Sequence, residues 1–197
     1  MAIFDLETQT IKDIKPLAPK SWASTNAGLD ASDKDNSISM RKWDIHGMLM
    51  VDTIDIYKAS DGKEYLVTAN EGDDKEYSFE SPGKKCTWGE IKRGKDLTPA
   101  AITSVGPAQA DLLNETNLGR IYVGLFDQRA SPTSGAYSRI HTMGGRSFSI
   151  INPETMETVY DSGSLMEEIL KDHYPTIFNS EADAAKRQPE QKDGRCG

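Results

Sequence analysis

The sequence predicts an all-β protein, β-propeller-like and incomplete at about three blades, with long loops and one or two short helices. Three observations predict it. Alternating apolar and polar runs are joined by turn residues in several places. Helical periodicity is confined to two short stretches. The quartets Asp5-Leu6-Glu7-Thr8 and Asn152-Pro153-Glu154-Thr155 sit at matching places in two strand–turn–strand units, 147 residues apart, which is three times 49. Propeller blades repeat at about 40–50 residues, each a small antiparallel sheet packed against its neighbours. A β-sandwich with insertions is the alternative arrangement.

In chain order, Phe4 to Ile14 reads as a strand, an acidic-polar turn and a second strand. Residues 22–44 are dense in Asp, Ser, Asn and Lys and read as a long loop. Thr53-Ile54-Asp55-Ile56-Tyr57 alternates, Asp61-Gly62 turns, and Glu64-Tyr65-Leu66-Val67-Thr68 returns. Asp-Gly supplies the positive φ that a tight hairpin needs. Residues 71–97 are charged and Gly-rich, which predicts an exposed insertion. A weak helical pattern follows Gly106-Pro107 through Leu113, and Arg120 to Phe126 reads as a strand. Another hairpin runs from Ser147–Ile151 through Asn152–Thr155 to Thr158–Tyr160. Ser164 and Glu167 have the spacing of a capping box. Leu165, Met166, Ile169 and Leu170 then share one helical face, and Pro175 stops the pattern. One domain is expected over 1–178, followed by a polar, poorly ordered tail over 179–197.

Composition narrows the function classes. The chain of 197 residues carries 23 basic and 31 acidic side chains, a net charge of −8. Nucleic-acid binding needs a basic face that displaces counterions from phosphates, so no nucleic-acid partner is expected. A cation, a mineral surface or a basic partner suits the balance better. No apolar run approaches the roughly 18 residues of a membrane span. Cys86 and Cys196 are too few to define a redox compartment; one bridge and two reduced thiols both remain open. Met1 to Glu7 shows no basic segment followed by an apolar stretch, so no signal peptide is visible. Taken literally that means a cytosolic protein, but the immediate strand pattern predicts a chain that begins inside a domain.

Several segments together carry a family resemblance. Leu29-Asp30-Ala31-Ser32-Asp33-Lys34-Asp35, Gly47-Met48 and Tyr65-Leu66-Val67-Thr68-Ala69-Asn70-Glu71-Gly72-Asp73 strongly resemble the mesenchyme-specific cell-surface glycoproteins of biomineralising animals. Bacterial relatives carry the same module under the label choice-of-anchor. Gly145 to Ile150, Tyr160 to Gly163 and Phe178-Asn179-Ser180 match further segments in the expected order. The resemblance implies a secreted or surface-anchored β-propeller of skeleton or shell matrix, sometimes described as alkaline phosphatase-like. It also implies a longer chain with a signal peptide and more blades, so this sequence is expected to be a fragment or a truncated gene model.

Two acidic loops are the candidate calcium sites. Calcium takes six to eight hard oxygen ligands, which closely spaced carboxylates can supply. In the first loop Asp30, Asp33 and Asp35 are the candidate ligands, with Asn36 accepting the left-handed geometry of a turn glycine. Ala31 and Lys42 stand where the first ligand and the bidentate Glu of a helix–loop–helix calcium motif belong, so the match is partial. In the second, Glu71 and Asp73 of Asn70-Glu71-Gly72-Asp73-Asp74 follow a strand directly. For both loops a solvated, self-capped acidic turn is the competing reading. Asn114-Glu115-Thr116 is a glycan acceptor triplet if the protein is secreted.

Hydrolase motifs are lacking. His46, His141 and His173 have no paired zinc spacing, no G-x-S-x-G is present, and Asp161-Ser162-Gly163 reads as a turn. Arg146, beside Gly144-Gly145, reads as an anchor that pairs with a carboxylate rather than as an anion site. The expected function is that of a non-enzymatic secreted matrix protein of a calcified tissue. It would bind calcium or mineral weakly through acidic loops and contact other matrix components. The alternative is a calcium-dependent propeller hydrolase of phosphate esters.

Overall fold

The computed structural model describes residues 1–178 apart from 82, 103, 104, 106, 107 and 126–135. The tail over 179–197, and with it Cys196, lies outside the described residues, as does the side chain of Cys86. Among the described residues the chain is mostly β, with thirteen strands, three α-helices and three single 3-10 turns.

The antiparallel hairpins fall where their turn chemistry puts them. β1 (Ala2–Asp5) pairs with β2 (Thr10–Ile14), and the turn is held by Asp5, whose carboxylate accepts bonds from the Glu7 and Thr8 amides. β5 (Val51–Lys58) pairs with β6 (Glu64–Asn70) around Gly62, whose φ is +82°. β12 (Ser147–Ile151) pairs with β13 (Thr158–Asp161) across a turn in which Asn152 accepts from the Glu154 and Thr155 amides. These last four strands join into one antiparallel sheet in the order β13-β12-β6-β5. No closed ring of sheets forms among the described residues. The observed sheets are this one, a five-stranded one and two isolated hairpins.

The five-stranded sheet was not visible in the sequence. Its order is β3 (Lys20–Ser21), β4 (His46–Gly47), β11 (His141–Thr142), β10 (Tyr122–Gly124), β9 (Ile91–Arg93). β4 and β11 run parallel, which only a long connection permits. Of the stretch 71–97, β7 (Glu76–Ser81) and β8 (Lys84–Gly89) form their own hairpin. The end of the stretch does not stay outside: β9 enters the sheet, and Leu97 is buried. Of the expected strand over Arg120 to Phe126, whose last residue lies outside the described residues, β10 forms, preceded by a 3-10 turn at Leu118–Arg120.

The core gathers on one side of this sheet. Trp22, Trp43, Ile45, Ile102, Leu112, Leu118, Val123, Tyr137 and Ile140 form one buried cluster. The long loop over 22–44 is therefore irregular but not peripheral; it supplies the two tryptophans of this cluster, and Trp43 Nε1 donates to the Leu29 carbonyl at 3.0 Å. Helices α1 (Pro99–Ile102) and α2 (Ala108–Leu113) cover the cluster through Ile102 and Leu112.

Helix α3 (Leu165–His173) forms where predicted, but one expectation about it is corrected. No capping box forms. Ser164 Oγ instead bonds the backbone of Gly28, donating to its carbonyl and accepting from its amide, and so ties the helix start to the long loop. Glu167 is buried and paired with Arg146, so the polar side of the helix faces the protein. The apolar face of Leu165, Met166, Ile169 and Leu170 is turned outward, each residue 38–46% exposed.

Candidate functional site

The two acidic loops converge on one cleft. Its walls include Trp22, Asp30, Gly72, Asp74, Tyr122 and Arg146, around a small cavity of about 40 Å³ that is partly open to solvent. Asp30 follows the Leu29–Arg41 bridge of the long loop. Gly72 and Asp74 come from the segment after β6, and Arg146 from the segment before β12.

Close backbone contact packs the second of these loops against the segment before β12. Gly144 has a φ of +84°, and a Cβ there would lie 1.9 Å from the Glu71 carbonyl oxygen. The facing Gly72 is equally crowded, with its own Cβ position 2.7 Å from Gly144 Cα. Only glycines let the two segments cross at this separation.

Beneath the cleft lies a buried polar network. Lys20 Nζ donates to the carbonyls of Gly145 at 2.7 Å and Gly163 at 2.8 Å, and stands 3.6 Å from Asp161 Oδ1. It also lies over the Trp22 ring, 4.3 Å from the centroid. Burial pushes the Lys20 ammonium below its ordinary pKa, against the opposing pull of Asp161. Asp161 Oδ2 accepts from Ser147 and Ser149, both at 2.7 Å, and Asn70 donates to the same two hydroxyls. Asp161 Oδ1 accepts the Gly163 amide, so Asp161-Ser162-Gly163 is the turn expected from sequence. Arg146 Nε pairs with Glu167 Oε1 at 3.0 Å, both side chains nearly buried, which bears out the expected anchoring carboxylate. Charges taken out of water must be matched in this way.

The predicted ligands separate. Asp33 is held by Arg120 through two bonds, at 2.6 and 3.1 Å, and its side chain is 4% exposed. That carboxylate is committed to structure. Asp30 is buried and accepts from the Ser39 amide at 3.3 Å. Asp35 is half-buried and accepts from the Ser37 amide at 3.2 Å, with Asn36 at φ +55° beside it as the turn chemistry predicts. Glu71 and Asp73 are exposed, while Asp74 turns into the cleft. Among the described residues no three His, Cys, Asp or Glu side chains gather as a metal-holding group. Asn114 is exposed in the turn after α2, where its Oδ1 accepts from the Thr116 amide and hydroxyl at 3.0 and 2.9 Å. Asp74 belongs to the acidic run noted in the sequence, but Glu71 and Asp73 were singled out there instead. The period-two alternation of an extended segment, Asp73 out and Asp74 in, is the signal that would have found it.

Asp30 gives the cleft a measurable signature. Burial raises its carboxyl above the ordinary 3.8. The folded state then holds the proton more tightly than the unfolded one. Stability from this group is fully present below the unfolded pKa and is lost as pH rises through the folded one. Asp30→Asn keeps an oxygen for the Ser39 amide and removes the charge. It should raise the melting temperature at pH 7, with the difference shrinking as pH falls below about 4. Thermal unfolding at both pH values checks this, and an unchanged or lower melting temperature at pH 7 would refute it.

A family model described as the choice-of-anchor I domain matches residues 1–197. The chain is 29% identical over 186 residues to a protein of Strongylocentrotus purpuratus named mesenchyme-specific cell surface glycoprotein, covering 86% of this chain and 23% of that protein. It is 36% identical over 78 residues to Gigasin-3a of Magallana gigas, covering 40% of this chain and 27% of that protein. The chain thus spans about a quarter of the length of these curated relatives. No solved structure matches it.

Proposed function

Since this chain belongs to the choice-of-anchor I domain family, we propose that it is part of a non-enzymatic secreted matrix protein of a calcified tissue, shell or skeleton. The observation that carries this reading is the similarity over 86% of the chain to a protein named as a cell surface glycoprotein. That name supports an extracellular location. The biomineralisation role rests on the family resemblance of the acidic and Asn70–Asp73 segments. The four-stranded sheet, whose strands follow chain order β5, β6, β12, β13, supports reading it as one propeller blade with a long insertion between its second and third strands. No helix among the described residues is long and apolar enough to cross a membrane.

Calcium or mineral would be held weakly, and the acidic carboxylates still facing solvent would hold it: Asp35, Glu71 and Asp73. Asp33 is left out because Arg120 occupies it. Loops this poorly preorganised bind at about 10⁻⁴ to 10⁻³ M or weaker. Titration calorimetry should show heats in that range that shrink when Asp35 and Asp73 are both changed to Asn. Parental heats in the double variant would remove these loops from the reading.

Location is the decisive test. Antibody against the chain should label demineralised shell or skeletal matrix, and the protein recovered from it should lose mass on removal of N-linked glycan from Asn114. Confinement to the cell interior would overturn the proposal. So would turnover of a generic phosphate ester abolished by Asp33→Asn or Asp73→Asn, since that result belongs to a calcium-dependent hydrolase.

A further inference from the structure

The parallel pairing of β4 and β11 brings together two histidines that are far apart in sequence. His46 and His141 are in register on adjacent strands, with ring centroids 5.8 Å apart. The register is pinned on both sides, by the His46 amide on the Ile140 carbonyl at 2.9 Å and the Met48 amide on the Thr142 carbonyl at 3.0 Å. Residues on the other face of these strands point into the core. Thr142 Oγ1 accepts from Trp22 Nε1 at 3.3 Å, and a Cβ on Gly47 would lie 3.0 Å from that same nitrogen. Side chains alternate along a strand, so His46, Met48 and His141 share the opposite face. Met48, Met50 and His141 also help to line an open pocket of about 430 Å³, at whose edge His46 stands without lining it.

His46 adds an independent observation. Its Nδ1 is buried from solvent and makes no hydrogen bond. A buried nitrogen left without a partner is destabilising, a standing reason for a partner to be taken up there. Ligand type selects that partner. Imidazole nitrogen suits copper, and thioether sulfur is a soft donor that favours copper(I) over calcium, magnesium or zinc. Two imidazoles bound to one ion at about 2.0 Å each hold their rings at about the separation seen here.

We propose that His46, His141 and Met48, with Met50 beside them, form a copper(I) site on the outer face of the five-stranded sheet. It is separate from the acidic loops and independent of any calcium role. No redox step is attached to it; the site holds the ion.

The test uses the full chain with its thiols alkylated, so that Cys86 and Cys196 cannot compete. Copper(I) is titrated anaerobically against a chromophoric chelator. One equivalent should be taken up, and X-ray absorption should report both nitrogen and sulfur neighbours. Met48→Leu conserves volume and should weaken uptake at least ten-fold while the thermal unfolding midpoint stays within a few degrees. His46→Gln should weaken it further. No uptake by the parent, or uptake by both variants equal to the parent's, overturns the site. Absorption data with oxygen neighbours alone do the same.

Discussion

Arg146→Met should destabilise the protein by about 3–5 kcal/mol, because it leaves the Glu167 carboxylate buried without its counter-charge. The pair is nearly dry, with side chains 12% and 9% exposed, so solvent cannot substitute for the lost guanidinium. The loss should be recovered in large part by adding Glu167→Leu, since an apolar pair of similar volume avoids the desolvation cost altogether. Chemical denaturation of the parent, the single and the double variant measures this. A single variant that loses less than about 1 kcal/mol would mean the pair behaves as a surface contact and does not fix α3. The same variant reports on the cleft, because Arg146 lines it. If the pair anchors the helix, protection of the α3 amides from hydrogen exchange should fall in the single variant and return in the double.

That pair also marks where the sequence stopped being informative. Helical spacing showed that Leu165, Met166, Ile169 and Leu170 share a face, but spacing says nothing about which face turns inward. Glu167 decided it by reaching Arg146, and α3 turned its apolar side out. Ser164 was read as a cap because its type and spacing fit, yet Gly28, 136 residues away, took the hydroxyl. Asp33 went the same way: local pattern made it a ligand, and Arg120, 87 residues away, made it a structural group. What proved legible was local. Asp61-Gly62, the Asn152 turn and Asn36 in left-handed geometry depend on a few neighbouring residues. The β4–β11 pairing was beyond reach, because strands of two residues have no periodicity to read and a parallel partner can lie anywhere along the chain. The cleft gathers residues from segments far apart in the chain, Asp30, Gly72 and Arg146 among them, so it was invisible although both loops were noticed.

Gly144→Ala should be among the most damaging single changes, and Gly62→Ala supplies the measure of how much of that damage is backbone strain alone. Both glycines have φ near +80°, at +84° and +82°, so each alanine bears the left-handed penalty of about 1–2 kcal/mol. They differ in surroundings. Nothing lies within 4 Å of a Cβ on Gly62, whereas a Cβ on Gly144 would sit 1.9 Å from the Glu71 oxygen. Backbone cannot rotate away as a flexible side chain can, so the 70–73 segment must move off Gly144. That movement takes Gly72 and Asp74 with it and pulls at Asn70, whose amide holds Ser147 and Ser149 under the cleft. Gly144→Ala should therefore cost more than about 4 kcal/mol, in the range reached only when packing or a buried network fails. Gly62→Ala should stay near the strain penalty and leave the rest of the sheet intact. Equilibrium unfolding of the two variants side by side decides the matter. Equal losses would mean that the crossing of the two segments yields cheaply and that the cleft is not rigidly built.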